Sequence, residues 1–208
     1  MRFFNPYGEI RFTQNLLPHW QQEGAVYFVT FRLADALPTH LLALWEDERA
    51  TWLRLHPKPW GPETEQEYHQ RFSGAMEGWL DAGYGSCVLR KIECARIADD
   101  TLRHFDTERL ALISSVVMPN HVHALFVQNP EHPLEELIRS WKTFTARSIN
   151  RLLERSGSLW QRSYFDRLVR NEKHFRNCVR YIRRNPERAR LIAGEYILYE
   201  SDLAGEIE

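Results

Sequence analysis

Residues 116–127 read VVMPNHVHALFV. Two β-rich apolar runs meet at Pro119-Asn120, a turn signal, so the stretch predicts a hairpin: a strand over 109–118 and a returning strand over 121–128. Within the second strand His121 and His123 are two residues apart. Residues so spaced in a strand project from the same face, which sets the two imidazoles side by side in an otherwise apolar segment. They can converge on one divalent cation, each offering a neutral ring nitrogen. The plainer alternative is a pair of satisfied core histidines. As metal ligands the two leave the shell incomplete, and a third ligand has to come from elsewhere in the chain.

Working outward from the hairpin, GAVYFVTFRLA from Gly24 is β-branched and aromatic and reads as a first strand. A helix is expected from Thr39, with Leu41, Leu44, Trp45 and Trp52 at helical spacings. HPKPWGPET then breaks the pattern with three prolines, and an acidic helix over about 64–80 ends in DAGYGS. A helix over about 92–105 precedes the hairpin, and a long one from Pro133 to about Glu154 follows it. SLWQRSYFDRLVR reads as extended. A last helix starts near Glu172 and is expected to end at Asn185, because Pro186 disfavours helical conformation in the residue before it. Without the Pro-rich helical elaboration, an insertion at about 57–83, the order is βαββαβ. The expectation is therefore α+β: a ferredoxin-like antiparallel sheet with helices on one face, in a single domain over 1–208.

The composition (43% hydrophobic, 12% aromatic, 26% charged) is that of a globular chain with enough apolar residues for a real core. No stretch approaches the roughly 18 apolar residues of a membrane helix, so no membrane partner is expected. The first residues, MRFFNPYGEIRF, hold no apolar signal core, and a cytoplasmic location is the expectation. Cys87, Cys94 and Cys178 form no CxxC pair, which argues against a disulfide framework or a cysteine zinc site.

The net charge of -1 conceals an asymmetry. Between Arg139 and Arg190 there are fifteen Lys or Arg against four acids, a local net of +11. Trp141, Phe144, Trp160, Tyr164 and Phe165 are interleaved with them. Such a block is the footprint of a polyanion-binding surface, although solvated helix faces also carry charge. In the last helix Phe175, Cys178, Val179 and Ile182 form a narrow apolar stripe that would face the sheet. Tyr181 and Asn185, an i, i+4 pair on one shoulder of the stripe, can reach the same point at its edge. A phenol and a carboxamide there suit a tyrosine nucleophile beside an oxygen ligand to a metal. Taken alone, they suit better a boundary tyrosine with its hydroxyl in water and a helix-terminal Asn that caps carbonyls.

Taken together, PNHVHALF, SWKTFTA and LWQRSYFDRLVRNEKHFRNCVRYIRRNPERARL resemble the single-tyrosine transposases of the HUH superfamily, and most of all the REP-associated tyrosine transposases. The resemblance extends to LPHWQQEGAVYFVTFRL and GYGSCVLR, and leaves out the acidic insertion. It implies that His121 and His123 ligate a divalent metal, Mg²⁺ or Mn²⁺. Tyr181 would be the nucleophile, and Asn185 would stand where relatives carry a third polar ligand, often Gln. Asn is one methylene shorter. The implied activity is single-stranded DNA cleavage and strand transfer beside a hairpin, through a 5′-phosphotyrosine that conserves the phosphodiester energy. Lys142, Arg147, Arg151, Arg162, Arg167 and Arg170 are the candidates for DNA backbone contacts. Insertion-sequence relatives swap their tyrosine helix between two subunits, whereas the stand-alone branch is able to act as monomers; a nucleoid-associated monomer is expected ahead of a homodimer. Tyr164 is the competing nucleophile. The rival readings are a non-catalytic nucleic-acid-binding module, and a small-phosphoester hydrolase that uses the histidines without Tyr181.

Overall fold

The computed structural model describes residues 1–14, 18–57 and 60–208. Five strands form one antiparallel sheet: β3 (Val26–Arg32), β4 (Leu110–Val117), β5 (His121–Gln128), β6 (Phe165–Leu168) and β7 (Ile197–Glu200), in the order β6-β3-β5-β4-β7. A separate two-stranded sheet pairs β1 (Arg11–Gln14) with β2 (Pro18–Gln21). The first four strands of the large sheet lie in the ferredoxin-like order, as the βαββαβ reading requires. The hairpin of β4 and β5 turns at Pro119-Asn120, as expected, and β5 has the bounds expected of it.

Alternation along β3 and β5 separates two cores. Tyr27, Val29, Phe31, Ala124 and Phe126 point to one side, where α4 (Ile92–Arg103) and α5 (Leu134–Leu152) cover them with Leu102, Leu137, Ile138 and Trp141. Val26, Phe28 and Leu125 point to the other, under Phe175, Cys178, Val179 and Ile182 of α6 (Glu172–Arg188). All four residues of the predicted apolar stripe are buried. Fully burying a side chain such as Val179 or Ile182 contributes about 1.5–3 kcal/mol, which fixes the face α6 presents to the sheet. Of the expected helices α4 and α5 thus lie on one face, and α6, expected to carry the nucleophile, lies on the other.

Three sequence expectations need correction. The last helix does not stop at Asn185 but runs through Pro186 to Arg188. A proline costs one backbone donor, and here it falls in the final turn, where few bonds remain to be lost and the ring is buried. Extended structure between 158 and 170 is confined to β6 and an isolated Leu33–Trp160 bridge, so Tyr164 precedes the strand rather than lying in it. Finally, β7 and α7 (Asp202–Gly205) follow the predicted elements. They are tied back when Arg183 of α6 donates to Glu200 and to the carbonyls of Ala204 and Ile207.

Between β3 and α4 lies α1 (Thr39–Leu55), and then a longer helical rod. The rod starts as α2 (Pro62–Tyr68), widens into one π-helical turn over His69–Ser73, and continues as α3 (Gly74–Asp81). It lies within the segment expected as an insertion, with the start, roughly, and the end of its acidic helix as anticipated. Its exit is pinned to the end of β3: Ser86 N donates to Asp35 Oδ2 at 2.8 Å, and Gly85, at φ +87°, lets the backbone pass so near the Asp35 carbonyl that a Cβ would collide with it. The rod meets α6 at both ends. Arg170, just before α6, pairs with Glu65 at 2.7 Å, and Arg188, its last residue, pairs with Glu77 at 3.4 Å and Asp81 at 3.6 Å. The two helical pieces therefore run side by side in the same direction. These pairs are partly exposed and contribute about 0–1 kcal/mol each.

Candidate active site

Antiparallel pairing of β3 and β5 sets Thr30 opposite His123 and Arg32 opposite His121, all facing α6. Both histidines are almost fully buried, at 1% and 3% exposure. Asn120 donates through Nδ2 to the carbonyls of Leu80 and Tyr84, which turns its Oδ1 to His121 Nδ1 at 2.7 Å. That contact assigns the proton of His121 to Nδ1. Thr30 Oγ1 meets His123 Nδ1 at 2.7 Å and suits the same tautomer. The two Nε2 atoms then face each other 3.1 Å apart. Burial holds the His121 imidazole down at about 3, and pushes that of His123 well below its usual value, with His121 and Arg188 adding to the effect. Both rings are neutral, and two lone pairs at that separation repel unless a proton or a cation lies between them.

Tyr181 and Asn185 reach this point from α6, as their spacing predicts. The Tyr181 ring packs edge-on against His123 with centroids 5.2 Å apart, and against Phe28 at 5.7 Å. Asn185 is 1% exposed, its Nδ2 is 3.4 Å from His123 Nε2, and its Oδ1 is buried with no hydrogen bond. A buried carbonyl without a partner costs about 1–3 kcal/mol, and such groups call for an explanation. Burial raises the Tyr181 phenol far above its ordinary value, and Glu77 raises it further; Arg188, with its Cζ 5.5 Å from the ring centroid, and the Asn185 amide act the other way.

The metal implied by the family resemblance fits these residues. Two ligands at right angles on an octahedral ion with bonds of about 2.1 Å stand about 3.0 Å apart, close to the spacing of the histidines. The unpartnered Asn185 Oδ1 supplies a hard oxygen donor. Among the described residues no cluster of three or more His, Cys, Asp or Glu gathers.

Tyr164 packs against the opposite core, the one that holds Trp141 and Trp160, and its phenol is also pushed up by burial. It does not share the face of the histidines. The DNA-contact candidates divide between the faces. Arg167 stands opposite Phe28 in β6 and so shares the histidine face, and Arg170 pairs with Glu65 beside it. Arg162 is exposed, as are Arg147 and Arg151 on α5, across the sheet. Lys142 is turned inward: its ammonium donates to the carbonyls of Gln161 and Arg162 at 2.6 and 2.8 Å, and burial lowers it to about 8. Sequence reasoning missed Thr30, Phe28 and Arg188, none of which carries a local signal. It read Asn120 only as a turn residue, although the Asn preceding the first histidine was a signal for its orientation.

Residues 90–185 match the family model described as "Transposase IS200 like". That is in keeping with the resemblance drawn from PNHVHALF and YIRRNP. A search of curated proteins found no match. Among solved structures, the chain is similar to a REP-associated tyrosine transposase bound to a REP hairpin, with 15% identity over 84% of this chain and 73% of that one, at a TM-score of 0.43. It is also similar to a candidate transposase from Deinococcus radiodurans, with 14% identity over 89% of this chain and 98% of that one, at a TM-score of 0.31.

Proposed function

From a chain whose residues 90–185 match the IS200-like transposase family, we propose a single-tyrosine transposase that cuts and rejoins single-stranded DNA beside a hairpin. The observation that carries the reading is the meeting of Tyr181 and Asn185 of α6 with His121 and His123 of β5, on one face of the sheet. His121 and His123, with Asn185 Oδ1, would hold Mg²⁺ or Mn²⁺. Bound there, such an ion supplies Lewis-acid polarisation of the scissile phosphate.

The residues of the chain do the rest. Asn120 and Thr30 hold the two imidazoles in one tautomer and aim them at the same point. Phe28 and His123 fix the Tyr181 ring, so that its hydroxyl is presented without free rotation. The Tyr181 oxygen forms a bond to phosphorus as the bond to the 3′-oxygen breaks; the phenol proton passes to solvent, and the 3′-oxygen takes one from water. The 5′-phosphotyrosine then exchanges with a 3′-hydroxyl in the reverse sense, with no need of ATP. With α6 docked on the sheet of its own chain, one copy suffices to present all four site residues.

The test is covalent. Incubated with hairpin oligonucleotides carrying single-stranded flanks and with Mn²⁺, the protein is expected to form an adduct that survives boiling in SDS. Tyr181→Phe abolishes it with fold and hairpin affinity kept, and Tyr164→Phe retains it. Peptide mapping that places the linkage on Tyr164, or on no tyrosine, overturns the assignment.

A further inference from the structure

Arg188 occupies a place that the reading above does not use. It follows Tyr181 by seven residues and Asn185 by three, so all three stand on one side of α6, with Arg188 a little under two turns past the tyrosine. Its guanidinium lies over the Tyr181 ring, with Cζ 5.5 Å from the centroid. Other arginines of α6 are engaged elsewhere: Arg176 with Glu172, Arg180 with the Glu208 carbonyl, and Arg183 with Glu200 and two carbonyls. The partners of Arg188 are loose by comparison. Both terminal nitrogens stand 3.4 Å from Glu77 Oε2, Asp81 Oδ2 is 3.6 Å away, and the side chain is 45% exposed. Two carboxylates thus share one guanidinium at the outer limit of hydrogen bonding, on the solvent side of the buried nucleophile.

We propose that Arg188 binds the non-bridging oxygens of the scissile phosphodiester, and that Glu77 and Asp81 of α3 hold it in place until the phosphate displaces them. The inference rests on the transposase reading and deepens it. A planar guanidinium presents two parallel N–H groups that match two phosphate oxygens, which a pair of long, single-oxygen contacts does not satisfy. Attack by Tyr181 adds negative charge to those oxygens, so the contact strengthens in the transition state and acts on rate more than on binding.

The experiment measures single-turnover adduct formation on two hairpin substrates, one with an ordinary scissile phosphodiester and one with a neutral methylphosphonate there. Arg188→Ala is expected to slow the diester by about 10²–10³-fold and the methylphosphonate by less than about tenfold, with hairpin affinity kept. Arg188→Lys keeps the charge without the fork and falls between, and it carries the comparison if the alanine variant does not fold. Glu77→Gln with Asp81→Asn breaks the same ion pairs from the other side and is expected to raise the diester rate. Equal slowing of both substrates by Arg188→Ala, no slowing of either, or slowing by the double acid variant overturns the proposal and leaves the transposase reading standing. Absence of any adduct from the unaltered protein on the diester overturns both.

Discussion

At the scale of single residues, the site depends on which nitrogen of each imidazole is free. Thr30 and Asn120 decide that by engaging the two Nδ1 atoms. Outer partners of this kind are worth about 10–100-fold in metal affinity or activity. Thr30→Val, which keeps the shape of the side chain, should therefore raise the Mn²⁺ concentration needed for half-maximal adduct formation by about that factor, with thermal stability little changed; an unaltered Mn²⁺ titration would remove Thr30 from the site. His121→Ala or His123→Ala should abolish cleavage and leave hairpin binding, because phosphate contacts by basic residues supply most of that affinity. Parallel loss of binding and cleavage in a folded variant would instead point to a structural pair. The histidines were legible because a spacing of two in a strand fixes a shared face. Thr30 was not, since its place opposite His123 depends on the register of strands far apart in the chain, and no local pattern encodes that register.

At the scale of elements, α6 was legible where helical periodicity governed it and illegible where packing did. The stripe of Phe175, Cys178, Val179 and Ile182 faces the sheet as its spacing requires, whereas the helix runs on past a Pro186 that is itself buried. The basic half of the chain shows the same division. Composition marks Lys142 and Arg167 alike as phosphate contacts, but Lys142 on α5 holds the 161–162 backbone. Burial lowers its ammonium in the folded chain to about 8, so the unfolded chain binds that proton more tightly. The cost of burying the charge is fully present below about pH 8 and is relieved as pH rises towards its ordinary value near 10.4. Melts at pH 7 and pH 10 should show the unaltered protein gaining stability relative to Lys142→Met at the higher pH. An identical difference at both pH values would place the ammonium in solvent.

At the scale of the whole molecule, the net charge of -1 hides a basic stretch balanced by acids spread over the rest of the chain, among them those of an acidic rod that lies against it. If the basic half tracks a DNA backbone, hairpin affinity falls log-linearly with salt, and Arg162→Ala or Arg167→Ala lowers that slope by about one unit for each phosphate no longer neutralised. A flat salt response would end the nucleic-acid reading. The strand order could be anticipated from βαββαβ alone, but not the edge strand β7, which lies past the last sequence signal, nor the arginines that the acidic rod would meet. The π-helical turn at His69–Ser73 bears on that meeting. At about 100° per residue, Glu65 and Glu77 would stand about 120° apart around an unbroken α-helix. A π turn accommodates one additional residue and removes roughly 100° of winding, which brings both acids to within about 30° of a common line. That phase correction lets a straight rod touch Arg170 and Arg188 at once. Deleting a single residue from the turn would leave a plain α-helix with Glu65 and Glu77 still within about 30° of a common line, so both clasps should survive, whereas winding the full-length rod as unbroken α-helix would swing Glu77 and Asp81 off the Arg188 side while Glu65 stayed on Arg170, with no charge removed from the chain.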